Sequence, residues 1–178
     1  VTIVGSSGSG VDVAGGGNLI LEDSVVNGSG FAGVHGGEGT TIDILRSVVN
    51  DGVTGGVECE KATLRMTSVF IRDNKTSGVK ASQSKVAMTS VRVARSGTSA
   101  AIVTAGTTAE IFGCEFVESK EHGLSAAGSG TTVSLINFYS AANALSGIDA
   151  ADHASVFMLY GSLVSNGYAG LKARDAAS

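Results

Sequence analysis

The chain has 178 residues, among them 26 Gly but neither Pro nor Trp, only 5% aromatic residues and a net charge of −4. No stretch approaches the roughly 18 apolar residues of a membrane span, and no window shows the 3.6-residue apolar period of a helix. The acidic balance, with no aromatics interleaved among the bases, speaks against nucleic acid as a partner.

Taken in chain order, Val1, Ile3 and Ser6 fit the closing part of a repeat whose first complete copy starts at Val11. From there a small residue followed by an apolar one recurs every 22 to 24 residues, at Val11, Val34, Val57, Val79, Ile102, Leu124, Ile148 and Leu171. Gly precedes each except Ile102, which follows Ala101. Each unit then carries three apolar pairs at i and i+2, the period of a strand with one face buried. In the third unit these are Val57 and Cys59, Leu64 and Met66, and Val69 and Ile71. The same grid selects Leu19, Leu21, Ser24 and Val26 in the first unit and Val156, Met158, Gly161 and Leu163 in the last.

Two residues always separate the second and third pairs, which predicts a tight corner, while the stretch after the first pair absorbs most of the length variation. A polar ladder follows the third pair, Ser29, Gly52, Asn74, Ser96, Ser119, Asn143 and Asn166, residues suited to bonding turn backbone. One unit cannot fold alone. About six buried apolar side chains give roughly 1.5 to 3 kcal/mol each, against about 1 to 2 kcal/mol of backbone entropy for each of some 23 residues. Stacked units escape this limit, because every strand pairs with its equivalents above and below.

The grid from Leu64 to Asn74, repeated over essentially the whole chain, resembles the right-handed parallel β-helix of the pectin lyase-like superfamily. The expected fold is all-β, a single-stranded right-handed parallel β-helix of about seven full coils of 22 to 24 residues, three short strands per coil. It forms one domain over residues 1–178, which starts and stops mid-coil and so reads as a fragment of something longer.

The superfamily holds polysaccharide lyases and hydrolases, phage tailspikes, adhesins and non-catalytic modules, so the resemblance implies a fold more than an activity. Its enzymes work on the outward face of the first strand, with carboxylates that bind calcium or act as acid and base and with Lys or Arg as proton abstractor. The outward ladder here reads Asp12, His35, Glu58, Lys80, Val103, Ser125, Asp149 and Lys172, which makes Asp12, His35, Glu58 and Lys80 the candidate catalytic groups. Against catalysis, the turns are short and promise no cleft walls, and no catalytic motif of the superfamily matches.

Residues 1–60 hold eight acids and one base, 61–95 eight bases and one acid, and 96–178 seven acids and three bases. Within the basic belt, Arg72, Lys75, Arg92 and Arg95 share one corner on two neighbouring rungs, a candidate contact for an acidic glycan or acidic protein surface. Val25, Val48 and Phe70 begin the third strand's outward ladder. With Ile20 on the neighbouring strand they form a candidate apolar interface. Cys59 and Cys114 fall on inward positions of different strands, so they read as buried thiols rather than a disulfide. His35, His122 and His153 are solitary, and no metal-ligand spacing occurs. Of two sequons, at Asn27 and Asn74, the second sits on an inward position.

The first functional reading is a non-catalytic scaffold or recognition segment of a larger extracellular or multi-subunit assembly. It would contact other subunits, the rest of a parent chain or acidic polysaccharide, outside the cell or at its surface. The alternative, from a different class, is the central part of a polysaccharide lyase or hydrolase with its active face on the first-strand ladder. No cofactor is expected, and calcium only under that alternative.

Overall fold

A computed structural model describes residues 1–178, which form 23 strands and no helix. The strands stack into three parallel sheets, two of eight strands and one of seven, each joining every third strand of the chain. The first sheet runs from Val11–Val13 to Ala169–Ala173, the second from Asn18–Glu22 to Ser155–Leu159, and the third from Thr2–Val4 to Ser162–Val164. This is a parallel β-helix of about seven coils, as the period requires.

The core is the column of inward residues. Leu64, Met66 and Ile71 are at most 1% exposed, each stacked on its equivalents in the coils above and below. One residue with left-handed backbone builds each tight corner between second and third strands, from Asp23 at φ 47° to Tyr160 at φ 53°. The small residue before the first strand is needed for close approach. A Cβ on Gly78 would stand 2.1 Å from the Val93 side chain and 2.8 Å from the Ala100 carbonyl oxygen.

The polar ladder lies inside the turns. Asn74 Oδ1 accepts the Gly52 N–H at 2.9 Å, and Asn143 Oδ1 accepts that of Ser119 at 3.0 Å. Asn74 is buried, which closes its sequon to modification. Cys59 and Cys114 are free and buried, and burial pushes both thiols up to about 11.

The fifth coil corrects the expected register by one residue. Val79 pairs with Ala101 rather than Ile102, and Ala101 with Leu124, so Val103 is buried and Ile102 takes the outward place beside Lys80. The polar ladder explains the shift, because every other unit places its inward marker five residues after it, and five after Ser96 is Ala101. The alternative would turn Val103 outward and bury the Thr104 hydroxyl in its stead.

Candidate functional site

The registers align the outward residues of the first sheet in one straight column, Asp12, His35, Glu58, Lys80, Ile102, Ser125, Asp149 and Lys172. All four candidate catalytic residues thus stand on consecutive rungs, about 4.8 Å apart. His35 Nδ1 lies 2.8 Å from Asp12 Oδ1. An ionised carboxylate can only accept, so Nδ1 is the donor of this contact and Nε2 faces away from Asp12.

A second column stands beside this one in the turn leading into the first sheet. It contains Phe31, Thr54, Thr76 and Thr98, with the Thr54 N–H donating to the Phe31 carbonyl and the Thr98 N–H to that of Thr76. Between the two columns runs a groove of about 700 Å³, bordered by Phe31, Thr54 and Thr76 on one side and His35, Glu58 and Lys80 on the other. A smaller cleft of about 260 Å³ shares His35, Glu58 and Lys80 and continues to Glu60, Ser82 and Thr104. The short turns therefore border a shallow, open groove rather than a closed cleft.

This groove offers a carboxylate, an imidazole, an ammonium group, several hydroxyls and the half-exposed face of Phe31. Such a mixture suits a sugar chain, whose rings present apolar faces for an aromatic and hydroxyls for the polar groups. It does not suit calcium. That ion takes about six to eight oxygen ligands, whereas Asp12 is engaged by His35 and nowhere do three His, Cys, Asp or Glu side chains converge.

Residues 1–140 match the family model for the right-handed β-helix region. The chain belongs to the right-handed β-helix family. No curated protein matches the sequence. Among solved structures, this β-helix is similar to a double mutant of the periplasmic alginate epimerase AlgG, at 15% identity and a TM-score of 0.74, with 91% of this chain on 45% of that one. A single mutant of the same epimerase gives 15% and 0.66 over the same shares. The A-module of the mannuronan C-5 epimerase AlgE6 of Azotobacter vinelandii gives 13% and 0.54, over 89% of this chain and 58% of that one. At such identities the likeness is one of fold, and the chain spans about half the length of these structures.

The basic corner of the β-helix is assembled and largely self-neutralised. Arg95 binds both carboxylate oxygens of Asp73, at 2.6 and 2.8 Å, and holds that carboxyl below its ordinary range. Arg92 lies 3.0 Å from Glu115 and stacks over Phe70, which Arg72 covers too. Lys75 is exposed at the same corner. The block charges of the sequence thus answer one another across coil boundaries, as Arg65 does with Asp43, and within the acidic block Arg46 pairs with Asp23 and Glu22. Of the apolar candidates, Val25, Val48 and Phe70 do occupy successive rungs of the third sheet, whereas Ile20 stands on the second sheet beyond the tight corner.

One further cluster, around a residue of the outward ladder, is not singled out by residue spacing. Asp149, on the first-sheet column, has a side chain only 3% exposed, with Arg174 Nη2 at 3.2 Å and His122 Nε2 at 4.0 Å from Oδ2. Its Oδ1 is buried without a partner. His122 Nδ1 accepts the Ser146 N–H at 3.2 Å, and burial, opposed by Asp149, pushes the imidazole below its ordinary value. The three residues come from three successive coils. Superposing the repeats would have shown Arg174 two places past Lys172 on the same outward face.

Proposed function

We propose that this β-helix is a recognition segment that holds a linear acidic polysaccharide along the first-sheet groove, within a larger extracellular or cell-surface assembly. The groove between the Phe31–Thr98 column and the His35–Lys80 column carries this reading. It is open along the rod axis, so a chain of rings can lie across several rungs, with Phe31 under one ring and Lys80 available to a carboxylate. The shared fold with epimerases of alginate and mannuronan supports a carbohydrate ligand. Neighbouring subunits or further parts of the same polypeptide are the partners this reading expects.

The test is affinity electrophoresis through gels containing polymannuronate, polygalacturonate or a neutral glucan. Retardation by an acidic polymer is expected, lost in Phe31→Ala and in Lys80→Ala. Equal mobility in all gels, or retardation that both variants retain, overturns it.

A second reading, catalysis on the same polymer, is favoured by one observation, the Asp12 carboxylate that accepts from His35 Nδ1 and orients the imidazole at the groove. It predicts lytic or epimerising activity on uronate polymers that His35→Ala, Glu58→Ala or Lys80→Ala abolishes. Binding without turnover leaves the recognition reading alone.

A further inference from the structure

The outward face of the second sheet carries a pattern that a single chain does not use. Its middle column reads Ile20, Asp43, Arg65, Ala87, Glu110, Ser134 and Phe157, one residue per coil. Counted outward from Ala87 the two halves are complementary, with Arg65 matched to Glu110 on the first rung and Ile20 to Phe157 on the third. The adjoining column, Glu22, Leu45, Thr67, Thr89, Phe112, Ile136 and Leu159, matches Leu45 to Ile136 about Thr89. Ile20 and Phe157, on the two end strands of this sheet, are 70% and 59% exposed.

We propose that two copies of this chain pack second sheet against second sheet, side by side and antiparallel, about a two-fold axis passing between their Ala87 residues. The axis runs parallel to the strands, so each column faces its own counterpart with the order of rungs inverted. Every pair then occurs twice, as symmetry demands of an isologous contact. Arg65 of each copy meets Glu110 of the other while keeping its own Asp43 at 3.1 Å. Ile20 meets Phe157, and Leu45 meets Ile136. The small Ala87 at the axis, in a shallow depression of about 280 Å³ flanked by Arg65 and Glu110, lets the sheets approach while the longer side chains bridge on either side.

Charge selects this arrangement over the parallel one. With the axis along the rod, the middle column would face itself rung by rung and oppose Asp43 to Asp43, Arg65 to Arg65 and Glu110 to Glu110, each pair repulsive. The antiparallel arrangement has one like pair, Lys85 with Lys85, at the outer edge of the face where long stems can turn to solvent. Seven strands about 4.8 Å apart and five residues about 3.3 Å each give a face of about 550 Å² per copy. The total of about 1,100 Å² lies at the lower limit for a specific contact, so the dimer dissociates on dilution.

Sedimentation velocity from about 1 µM to about 1 mM covers the affinity range of such a contact. The native chain is expected to pass from monomer to dimer, Glu110→Arg to dissociate at least about tenfold more readily, and Glu110→Arg combined with Arg65→Glu to recover the native association. Facing sheets stand about 10 Å apart, beyond the reach of a direct disulfide, so Ala87→Cys is expected to be joined to its counterpart by a short bismaleimide cross-linker, while Ser134→Cys, opposite Asp43 rather than itself, is not. The native thiols are buried and do not interfere. A monomer at the highest concentration, association indifferent to Glu110→Arg, or cross-linking of Ser134→Cys as ready as that of Ala87→Cys overturns the proposal.

Discussion

Replacing Met66 by Asp and its neighbour Thr67 by Asp places the same new charge at two adjacent positions of one strand. Met66 is 1% exposed and stacked between Ile44 and Met88, whereas Thr67 is exposed on the opposite face. Truncation to Ala removes the Met66 side chain beyond Cβ and leaves a cavity, at a cost of about 2 to 4 kcal/mol. Met66→Asp adds an unpaired carboxyl among Ile44, Leu64 and Met88, which takes the total above about 4 kcal/mol. Thr67→Asp costs at most about 0.5 kcal/mol. In a stack whose coils touch only their neighbours, a lesion in the third coil also uncouples the coils on either side, so the Met66→Asp transition should broaden or split. Guanidinium titrations followed by far-ultraviolet circular dichroism, at low protein concentration, measure all three. Equal midpoints for the two Asp variants would refute the assignment of inside and outside on which the groove and its columns rest.

Gly78→Ala drives a Cβ against Val93 and the Ala100 carbonyl and should cost about 1 to 3 kcal/mol, while Gly8→Ala, with nothing within 4 Å of the new atom, should be neutral or slightly stabilising in the same titration. Because burial lowers the His122 pKa from its ordinary 6.5, the unfolded chain takes up the proton first. The His122 contribution is therefore complete above about pH 6.5 and lost as the pH falls from there through the folded value. Urea midpoints measured from about pH 8 down to about pH 5 should decline, less steeply in His122→Gln, and identical declines would exclude this origin. The thiols of Cys59 and Cys114, raised to about 11 by burial, should react with an alkylating reagent at pH near 8 far more slowly in the native protein than in denaturant. Equal rates in the two states would mean that the thiols are accessible.

Most of the architecture is legible from residue spacing because burial in a parallel stack repeats with the chain's own period. An inward residue such as Leu64 recurs as Val86 one coil later and must be apolar both times. The fifth coil misleads where one landmark is absent, since Ala100 stands where other coils have Gly and the marker moves to Ile102. The five-residue spacing from the polar ladder is the more reliable guide, because the hydrogen bonds of that turn tolerate no insertion. The first-sheet column is equally legible up to Lys80. Its groove is not, because the wall of Phe31, Thr54, Thr76 and Thr98 depends on the angle at which the turn leaves the sheet.

The basic corner shows a further limit. Spacing places Arg72, Arg92 and Arg95 together, yet whether they present free charge depends on Asp73, Glu115 and Glu118, which come from their own and the next rung. His122, Asp149 and Arg174 follow the same rule across three coils. In a β-helix a site is read down columns rather than along the chain, so residues about 23 apart are neighbours and those two apart on a strand share a face. Consecutive rungs of Asp12, His35, Glu58 and Lys80 then alternate little in distance and much in chemistry, at a spacing of about 4.8 Å that no short motif could encode. A linear polymer meets such a face along its length, while a compact ligand would touch one or two rungs. Binding that strengthens with polymer length, up to the span of the groove, therefore distinguishes this column from an isolated acid–base pair.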